Sequence, residues 1–345
     1  MNMRIAILGA AHGHATMYCQ RWQSMPGVSL IGVWDHDTER REAFARSFGI
    51  VAFPDLAGAL RRTDVDAVVV AAETSQHADV AVRALRAGKP VVLQKPLALT
   101  MRQADRIVTA VEETQVPFTL AWQMRVDPQN LEMKRLIDDG TLGRIFMIRR
   151  RHGLDVRNMA GFEHSWHVDP RLNRGMWADD AAHPIDFLYW ILGLPSSVIA
   201  EIDTLNDPLV PDDNGIAVYR YPDGTIAEVV SSFVCAAGEN TTEIVGENGV
   251  VVQNYGDVPS CSAPREAGAP GLRWLLRGTT DWVRSDIPSP QSHAERITGL
   301  AVPLIDFLTG RRAAIASAHE GRDVLRMVLA SYRAAASGRR VSLGA

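Results

Sequence analysis

Residues 4–14, RIAILGAAHGH, decide the fold, because an apolar run there ends directly in a glycine-containing turn. The run predicts a buried strand, Arg4–Leu8, and a helical pattern follows the turn. Gly9 permits a tight turn, and the start of the next helix offers amides and a favourable dipole to a pyrophosphate. Ala11 and His14 occupy the other two glycine positions of the dinucleotide-binding pattern, so a plain strand–turn–helix remains an alternative.

The alternation of short apolar runs and helical patterns continues over the first 122 residues. Short strands separated by helices predict a parallel sheet with right-handed crossovers. The predicted strands are Arg4–Leu8, Ser29–Trp34, Ala67–Ala72, Pro90–Leu93 and Phe118–Ala121, and the predicted helices include Thr38–Phe48, Gln76–Ala87 and Met101–Glu113. We therefore predict an α/β domain of the Rossmann type over residues 1–122.

The pattern changes after residue 122 to strands of antiparallel character followed by closing helices. The predicted strands are Arg144–Arg151, Ser197–Asp203, Gly215–Tyr221, Ile226–Val234, Thr242–Gly246 and Gly249–Gln253, and the helices are Ala294–Leu308 and His319–Ala336. The stretch from Val258 to Ser292 predicts a long loop with one short apolar helix. Residues 123–345 are therefore predicted to form an α+β domain with a large, mostly antiparallel open sheet.

Composition is that of an ordinary globular protein and excludes several classes. The 345 residues suit two domains, and a formal charge of −4 provides no electrostatic footprint for nucleic acid. Cys19, Cys235 and Cys261 are far apart and lack metal-binding spacing, which fits a reducing compartment. No apolar run approaches the ~20 residues that span a bilayer. We expect a cytoplasmic protein with no membrane segment, no nucleic-acid partner and no metal.

Asp35 ends the second predicted strand, 21 residues after His14. A carboxylate at this distance hydrogen-bonds the adenine ribose hydroxyls in dinucleotide-binding domains. An N-cap for the helix Thr38–Phe48 is the alternative role. The negative charge repels a 2′-phosphate, and no Arg or Lys follows before Arg40, so NAD is favoured over NADP.

Three further residues suggest proton-transfer chemistry. Lys95 lies just past the carboxyl end of a predicted parallel strand, where open α/β sheets bind ligands, and a nearby nicotinamide would disfavour its ammonium form. Asp179 and His183 are four residues apart, so one helical turn would put both on one face and let the carboxylate hold the imidazole tautomer. A surface lysine and a buried structural Asp–His pair are the alternatives.

Together these residues resemble the glucose–fructose oxidoreductase / inositol dehydrogenase (Gfo/Idh/MocA) family. The likeness is carried by Gln94-Lys95-Pro96 and by Asp179-x-x-x-His183-x-x-Asp186, and it extends along the chain through residues 76–78, 87–91, 142–145, 223–227 and 332–339. It implies a NAD-dependent oxidoreductase acting on a sugar, sugar derivative or polyol, with Lys95, Asp179 and His183 as catalytic residues. It also implies a homodimer or homotetramer.

The loop pattern and the resemblance together predict the cofactor contacts. The predicted NAD-binding residues are Gly9, Ala10, Ala11, His12, Gly13, His14, Asp35, Ala72, Glu73, Thr74, His77, Gln94, Lys95 and Gln123. The chain departs from the family at Gln94, where Glu is common, and at Glu73, where Pro or a small residue is usual. These departures concern the substrate and the cofactor's orientation more than the fold.

Substrate contacts are expected from Arg151, His152, Trp166, His167 and Arg174. Trp166 would pack on a sugar face, and His167 would hydrogen-bond hydroxyl groups. Arg151 would bind an anionic substituent, which makes an acidic substrate conceivable. A solvated strand end and ordinary loop packing are the alternatives, and no carboxylate or cysteine completes a metal site around His167.

Two other functions would use the same fold. A NAD-dependent glycoside hydrolase would oxidise a ring carbinol, eliminate, add water and return the hydride, so it shares the first step of a dehydrogenase. A catalytically silent NAD-binding regulator would lack the Lys95, Asp179 and His183 set that this chain has intact.

Overall fold

The computed structural model describes residues 2–206, 210–236, 240–253, 271–290 and 292–344. The chain folds into two compact units. The first unit comprises Met1–Gln123, Arg171–Asn173 and Ile297–Leu325, and the second comprises Met124–Pro170, Arg174–Arg296 and Arg326–Ala345. The division into domains 1–122 and 123–345 stays a prediction. That prediction did not include the return of residues 297–325 to the first unit.

The first unit contains a parallel six-stranded sheet with the strand order β3-β2-β1-β4-β5-β6. The strands β1–β6 are Met3–Leu8, Val28–Trp34, Val51–Ala52, Ala67–Val70, Val91–Leu93 and Phe118–Leu120; the helices α1–α5 are His14–Gln23, Thr38–Phe48, Leu56–Arg61, His77–Arg86 and Met101–Thr114. Strands β4, β5 and β6 are fully buried, as expected for a parallel sheet covered on both faces. The predicted Rossmann-type domain is confirmed.

Local signals explain why the predicted helix Thr38–Phe48 has these ends. The Asp37 side chain caps its start by accepting a hydrogen bond from the Arg40 amide at 3.0 Å. Gly49 ends it in the left-handed conformation, with φ +64°. Residues 297–325, which return to the first unit, are held there partly by a side-chain hydrogen bond: the Trp22 indole donates to the Ala301 carbonyl at 2.9 Å.

The second unit contains a nine-stranded sheet with the order β14-β13-β12-β11-β7-β10-β9-β8-β15, in which only the β7–β10 pair is parallel among the described residues. The strands β7–β15 are Ile145–Gly153, Ser197–Asp203, Asn214–Arg220, Ile226–Ser232, Thr241–Gly246, Gly249–Gln253, Leu272–Leu276, Val283–Arg284 and Val341–Ser342. The later helices α6–α11 are Pro128–Asp138, Met176–Asp179, Ala182–Leu192, His293–Thr298, Ala301–Leu308 and Ala318–Ser337. The predicted mostly antiparallel sheet is confirmed.

Two predictions about the residues that follow β12 are wrong. The described part of the expected loop and short helix contains strands β13 and β14, because Leu272–Leu276 pairs with β12 along its whole length. Residues 258–270 and 291, including Cys261, lie outside the described part. The single helix predicted over Ala294–Leu308 is two helices: Gly299 favours a break, and Pro303, which lacks an amide hydrogen, lies in the first turn of α10.

Helix α8, which carries His183, is anchored by a buried ion pair. Arg125 donates to the Asp186 carboxylate from Nη2 at 2.8 Å and from Nε at 3.0 Å. Both side chains are almost fully buried. Pro184 is the third residue of α8, in the first turn, where a missing amide hydrogen costs little.

No helix among the described residues is long and apolar enough to cross a bilayer.

We predict that Asp186→Ala lowers the free energy of unfolding by about 3–5 kcal/mol, because it removes a buried carboxylate that is paired with the buried Arg125 guanidinium. Urea denaturation followed by circular dichroism measures the effect. The control is Asp138→Ala, which removes the exposed pair with Lys134 and should change stability by less than about 0.5 kcal/mol. Equal effects of the two substitutions would contradict the anchoring role.

Candidate active site

The turn after β1 requires glycine at its first position. Gly9 has φ +88°, and a Cβ there would lie 2.4 Å from the Cα of Ala72. The Gly9 amide donates to the Trp34 carbonyl at 2.6 Å, and the His12 amide donates to the Ala71 carbonyl at 3.0 Å. The turn is therefore fixed between the ends of β2 and β4.

Helix α1 begins directly after this turn. Gly13 is its N-cap residue and has no side chain to cap the first amides, and the His14 amide donates to His12 Nδ1 at 3.4 Å. The first turn of α1 also contains no acidic residue. This helix start can therefore accept a pyrophosphate, as the residue pattern predicts.

Asp35 is completely buried at the end of β2 and accepts four hydrogen bonds. Its Oδ2 accepts from the Ala10 amide at 2.7 Å and from Arg40 Nε at 2.8 Å. Its Oδ1 accepts from the Asp37 amide at 2.8 Å and from Arg40 Nη2 at 2.7 Å. Burial by itself would raise the pKa of Asp35, but these bonds together hold the pKa below its ordinary value.

Glu73 is a second buried carboxylate at the same edge, just after β4. Its Oε1 accepts from Arg40 Nη2 at 2.8 Å. Its Oε2 is buried and has no hydrogen-bond partner among the described residues; His36 Nδ1 lies 3.8 Å from it. Arg40 thus bridges two carboxylates, a contact that the sequence did not predict.

Gln94 and Lys95 follow β5 and are both buried. The Gln94 side-chain amide donates to the Tyr18 hydroxyl at 3.0 Å. Its Oε1 is buried and has no hydrogen-bond partner in the described part of the chain. A buried lysine in the turn after β5 agrees with the predicted position at the carboxyl edge of the sheet.

His77 has a structural role at this edge. Its Nδ1 lies 2.8 Å from the Pro96 carbonyl and its Nε2 lies 3.2 Å from the Ala72 carbonyl. Burial lowers the pKa of His77 to about 4. The neutral ring has one N–H group, so it donates to only one of these two carbonyls. Thr74 is also buried, with its hydroxyl 3.4 Å from Asn173.

Every residue predicted to bind the cofactor follows the carboxyl end of one of the strands β1, β2, β4, β5 and β6. These residues are Gly9, Ala10, Ala11, His12, Gly13, His14, Asp35, Ala72, Glu73, Thr74, His77, Gln94, Lys95 and Gln123. In an open parallel sheet this edge binds ligands. Buried acceptors without partners, Glu73 Oε2 and Gln94 Oε1, match the hydroxyl donors of two riboses, so the residues present fit a dinucleotide.

In the second unit, the short helix α7 carries Asp179 and the first turn of α8 carries His183, and both side chains are buried. Asp179 Oδ2 lies 2.8 Å from His167 Nδ1. The His167 ring stacks on Trp166, with a centroid distance of 3.9 Å. Three of the predicted residues, Asp179, His167 and Trp166, are thus brought together.

A second histidine–aspartate pair lies next to His183. His152 Nε2 is 3.2 Å from Asp180 Oδ1, and its Nδ1 hydrogen-bonds Asn240. The His152 and His183 ring centroids are 5.4 Å apart. Asp180 and Asn240 were not among the predicted site residues; only the adjacency of Asp180 to Asp179 signalled the first.

Arg151 is not brought to this cluster. Along β7, Arg150 and His152 are buried on one face, and Arg149 and Arg151 point to the other, as alternation predicts. Arg151 donates instead to Cys235 Sγ at 3.3 Å. Arg174 lies over the Tyr332 ring, 5.1 Å from its centroid.

The helix that carries Asp179 is held at its start by a carboxylate that no sequence pattern singled out. Asp212 Oδ1 accepts from the Trp177 amide at 2.6 Å, and its Oδ2 accepts from the Tyr332 hydroxyl at 2.6 Å. A Cβ at Gly175 would lie 2.2 Å from Asp212 Oδ2, so glycine is required there. Burial raises the pKa of Asp212 to about 7.

These features define a dinucleotide-binding oxidoreductase, and comparison with known proteins identifies which kind. The chain belongs to the GFO/IDH/MocA family. The family's model described as "Oxidoreductase family, NAD-binding Rossmann fold" matches residues 3–121, and its C-terminal domain model matches residues 130–252. The predictions of this family, of an oxidoreductase and of NAD as cofactor are confirmed.

Named relatives cover different shares of the chain. Inositol 2-dehydrogenase 2 of Saccharopolyspora erythraea is 33% identical over 196 residues, which are 56% of this chain and 55% of that protein. The scyllo-inositol 2-dehydrogenase (NAD(+)) of Bacillus subtilis is 26% identical over 66% of this chain and 67% of that protein. The structure of levoglucosan dehydrogenase with NADH and levoglucosan has a TM-score of 0.82 at 21% identity, covering 99% of this chain and 100% of that chain, and shows the shared fold.

We predict that Asp212→Asn reduces the pH dependence of stability. Because the folded pKa is raised to about 7, the native state keeps a proton that the unfolded chain releases near pH ~4. The stability that this proton provides is complete below that pH and is lost as the pH rises through about 7. The wild-type Tm should therefore fall more steeply than that of the variant as the pH is raised through about 7.

Scanning calorimetry at a series of pH values measures this difference. Asparagine is a suited replacement because it tolerates the positive φ of residue 212 and imitates the protonated acid. The exposed Asp139 serves as a control, and Asp139→Asn should leave the wild-type slope unchanged over this range. Parallel Tm curves for wild type and Asp212→Asn would rule out the role of this carboxyl.

Proposed function

We propose that this chain is a NAD-dependent dehydrogenase that oxidises a carbinol of a sugar or polyol, with Lys95, Asp179 and His183 as its proton-handling groups. The observation that carries the proposal is the His–Asp cluster of the second unit, in which Asp179, His183 and His152 are buried. It contains Asp179 bonded to His167, and His183 beside the His152 ring. Polar groups in an otherwise buried place can orient a hydroxyl and accept its proton.

Each of these residues receives a separate role. His183 or Lys95 accepts the hydroxyl proton as the C–H bond of the carbinol breaks, and the other group stabilises the developing charge on oxygen. Asp179 holds His167 in place and supplies a negative charge close to the reacting groups. Bound NAD⁺ would supply the hydride acceptor. The Gly9–His14 turn, Glu73 and Gln94 are the groups proposed to hold the dinucleotide.

The substrate class rests on the relatives. Proteins named inositol 2-dehydrogenase and levoglucosan dehydrogenase are both similar to this chain. We therefore propose a cyclitol or a sugar as the substrate. An anionic substituent is a weaker proposal, because Arg151 lies on the face of β7 away from His152. The glycoside hydrolase alternative has no named relative among the proteins compared above.

Incubation of the purified protein with NAD⁺ and a panel of neutral and acidic sugars, cyclitols and aryl glycosides should yield NADH with a neutral sugar or cyclitol. NADH absorbance and aglycone release are followed together. His183→Ala should lower kcat by at least about a hundredfold, since it removes a proton-transfer group. His164→Ala removes an exposed histidine of the same unit and should leave kcat unchanged.

Two outcomes would contradict this function. Aglycone release that needs NAD⁺ without net NADH would indicate a redox-neutral glycosidase. Wild-type turnover in both Lys95→Ala and His183→Ala would disprove the assigned roles. A Tm measurement on each variant separates loss of chemistry from loss of folding.

We also propose that the protein forms a homodimer or homotetramer through the open face of the nine-stranded sheet. Ile199 and Ile216 are exposed there on the neighbouring strands β8 and β9. Light scattering should report a mass at least twice 37.8 kDa, and Ile216→Glu should lower it. A monomeric wild type would contradict this proposal. The cytoplasmic location stays a prediction.

A further inference from the structure

The short helix α7 begins with three amide groups that donate to residues far away in the sequence. The first amides of a helix have no acceptor within the helix itself. In α7 the Met176 amide donates to the Pro211 carbonyl at 3.2 Å, the Trp177 amide to Asp212 Oδ1 at 2.6 Å, and the Ala178 amide to the Tyr332 hydroxyl at 3.2 Å. Two of the three acceptors are therefore side chains, and both belong to other segments of the second unit.

These two side chains also bond each other. The Tyr332 hydroxyl donates to Asp212 Oδ2 at 2.6 Å while its oxygen accepts from the Ala178 amide. The donors therefore follow one direction, from the amide through the hydroxyl to the carboxylate. The Arg174 guanidinium lies over the Tyr332 ring, 5.1 Å from its centroid. Because each acceptor is held by the other, loss of one also changes the contact that the other makes with α7.

The backbone is strained on both sides of this contact. Three non-glycine residues have positive φ among those the structure describes, and two of them are Arg174, at +77°, and Asp212, at +42°. The third, Gln115, ends helix α5, where the left-handed conformation is ordinary. Strained residues persist only where their surroundings over-determine them, and they are concentrated at functional sites. The start of α7 is therefore held in an imposed position, and local preference alone does not explain it.

The position of Asp179 depends on these contacts. Asp179 is the last of the four residues of α7 and directly follows Ala178. A single helical turn is too short to be stable by itself, so contacts from outside must hold it. The buried Asp179 carboxylate lies 2.8 Å from His167 Nδ1. A shift at the start of α7 would move this carboxylate away from His167.

We propose that Asp212 and Tyr332 are positioning residues for the catalytic carboxylate: together they fix the start of α7 and so hold Asp179 where it bonds His167. The inference rests on the proposed function, which makes Asp179 a catalytic residue. Both residues act through α7. Since a small misplacement of a reacting group costs rate more than it costs binding, their loss should lower kcat and leave KM nearly unchanged.

The first test compares two tyrosine hydroxyls that lie next to each other on α11. Tyr332→Phe removes the hydroxyl that bonds α7. Tyr219→Phe is the matched control, because it removes a buried hydroxyl that bonds Ser331, the neighbour of Tyr332, at 2.8 Å. With NAD⁺ and the sugar or cyclitol that gives NADH, Tyr332→Phe should lower kcat about tenfold and change KM less than about twofold. Tyr219→Phe should keep both constants within about twofold of the wild type.

A second pair of variants tests the carboxylate. Asp212→Ala removes the acceptor of the Trp177 amide and of the Tyr332 hydroxyl, so kcat should fall about a hundredfold. Asp212→Asn keeps an oxygen for the Trp177 amide and should recover at least about tenfold of this loss. Rescue by the conservative variant distinguishes positioning from a need for charge. Circular dichroism at the assay temperature shows that each variant is folded.

A third measurement needs no turnover. The Nδ1 resonance of His167, observed in protein labelled with ¹⁵N-histidine and assigned by its loss in His167→Gln, reports the hydrogen bond to Asp179. It should shift in Tyr332→Phe and stay in place in Tyr219→Phe.

These results separate the inference from the proposed function. An unchanged His167 resonance in Tyr332→Phe would overturn the inference, and so would equal losses of kcat in Tyr332→Phe and Tyr219→Phe. A shifted resonance with a wild-type kcat would instead refute the catalytic role of Asp179 in the proposed function. If the wild type yields no NADH with any substrate, the proposed function fails, and the resonance still decides whether the pair positions Asp179.

Discussion

The close approach of the β1–α1 turn to the end of β4 is the constraint on which the cofactor half depends. The absence of a side chain at Gly9 allows a contact that a Cβ would block at 2.4 Å, and its amide bonds the last residue of β2. Asp35 then reaches the next amide of the turn, that of Ala10. One glycine therefore brings the ends of three strands together, and the polar residues that follow those strands share one edge of the sheet.

Much of the first unit could be predicted, because parallel strands and helices leave strong local signals. The helix Thr38–Phe48 was predicted to the residue, since Asp37 and Gly49 mark its ends. The position of Asp35 was also predictable from spacing. The four hydrogen bonds that Asp35 accepts could not be predicted, because two of them require Arg40 to fold back from the first turn of α2. Side-chain conformations of this kind have no periodic signature in a sequence.

The second unit shows a different limit. Strand alternation correctly separated Arg150 from its neighbours, yet it could not indicate which face of β7 meets helix α8. The buried face holds Arg150, whose guanidinium lies 3.9 Å from the Phe187 ring centroid, and His152. Arg151 was the preferred substrate residue only because the direction of the face was unknown. The role of Asp212 could not be predicted for a related reason, because its hydrogen bond with the Trp177 amide joins segments that are far apart in the sequence.

Unsatisfied acceptors connect binding in this protein to its stability. Glu73 Oε2 and Gln94 Oε1 are both buried without hydrogen-bond partners among the described residues, and a lost partner costs about 1–3 kcal/mol for such a group. Such a cost is appreciable, since the total stability of a domain is itself only about 5–15 kcal/mol. A dinucleotide that donates to both oxygens removes the penalty and binds the folded state alone, so it must stabilise the first unit. In the proposed function, these two atoms therefore connect cofactor binding to the stability of the first unit.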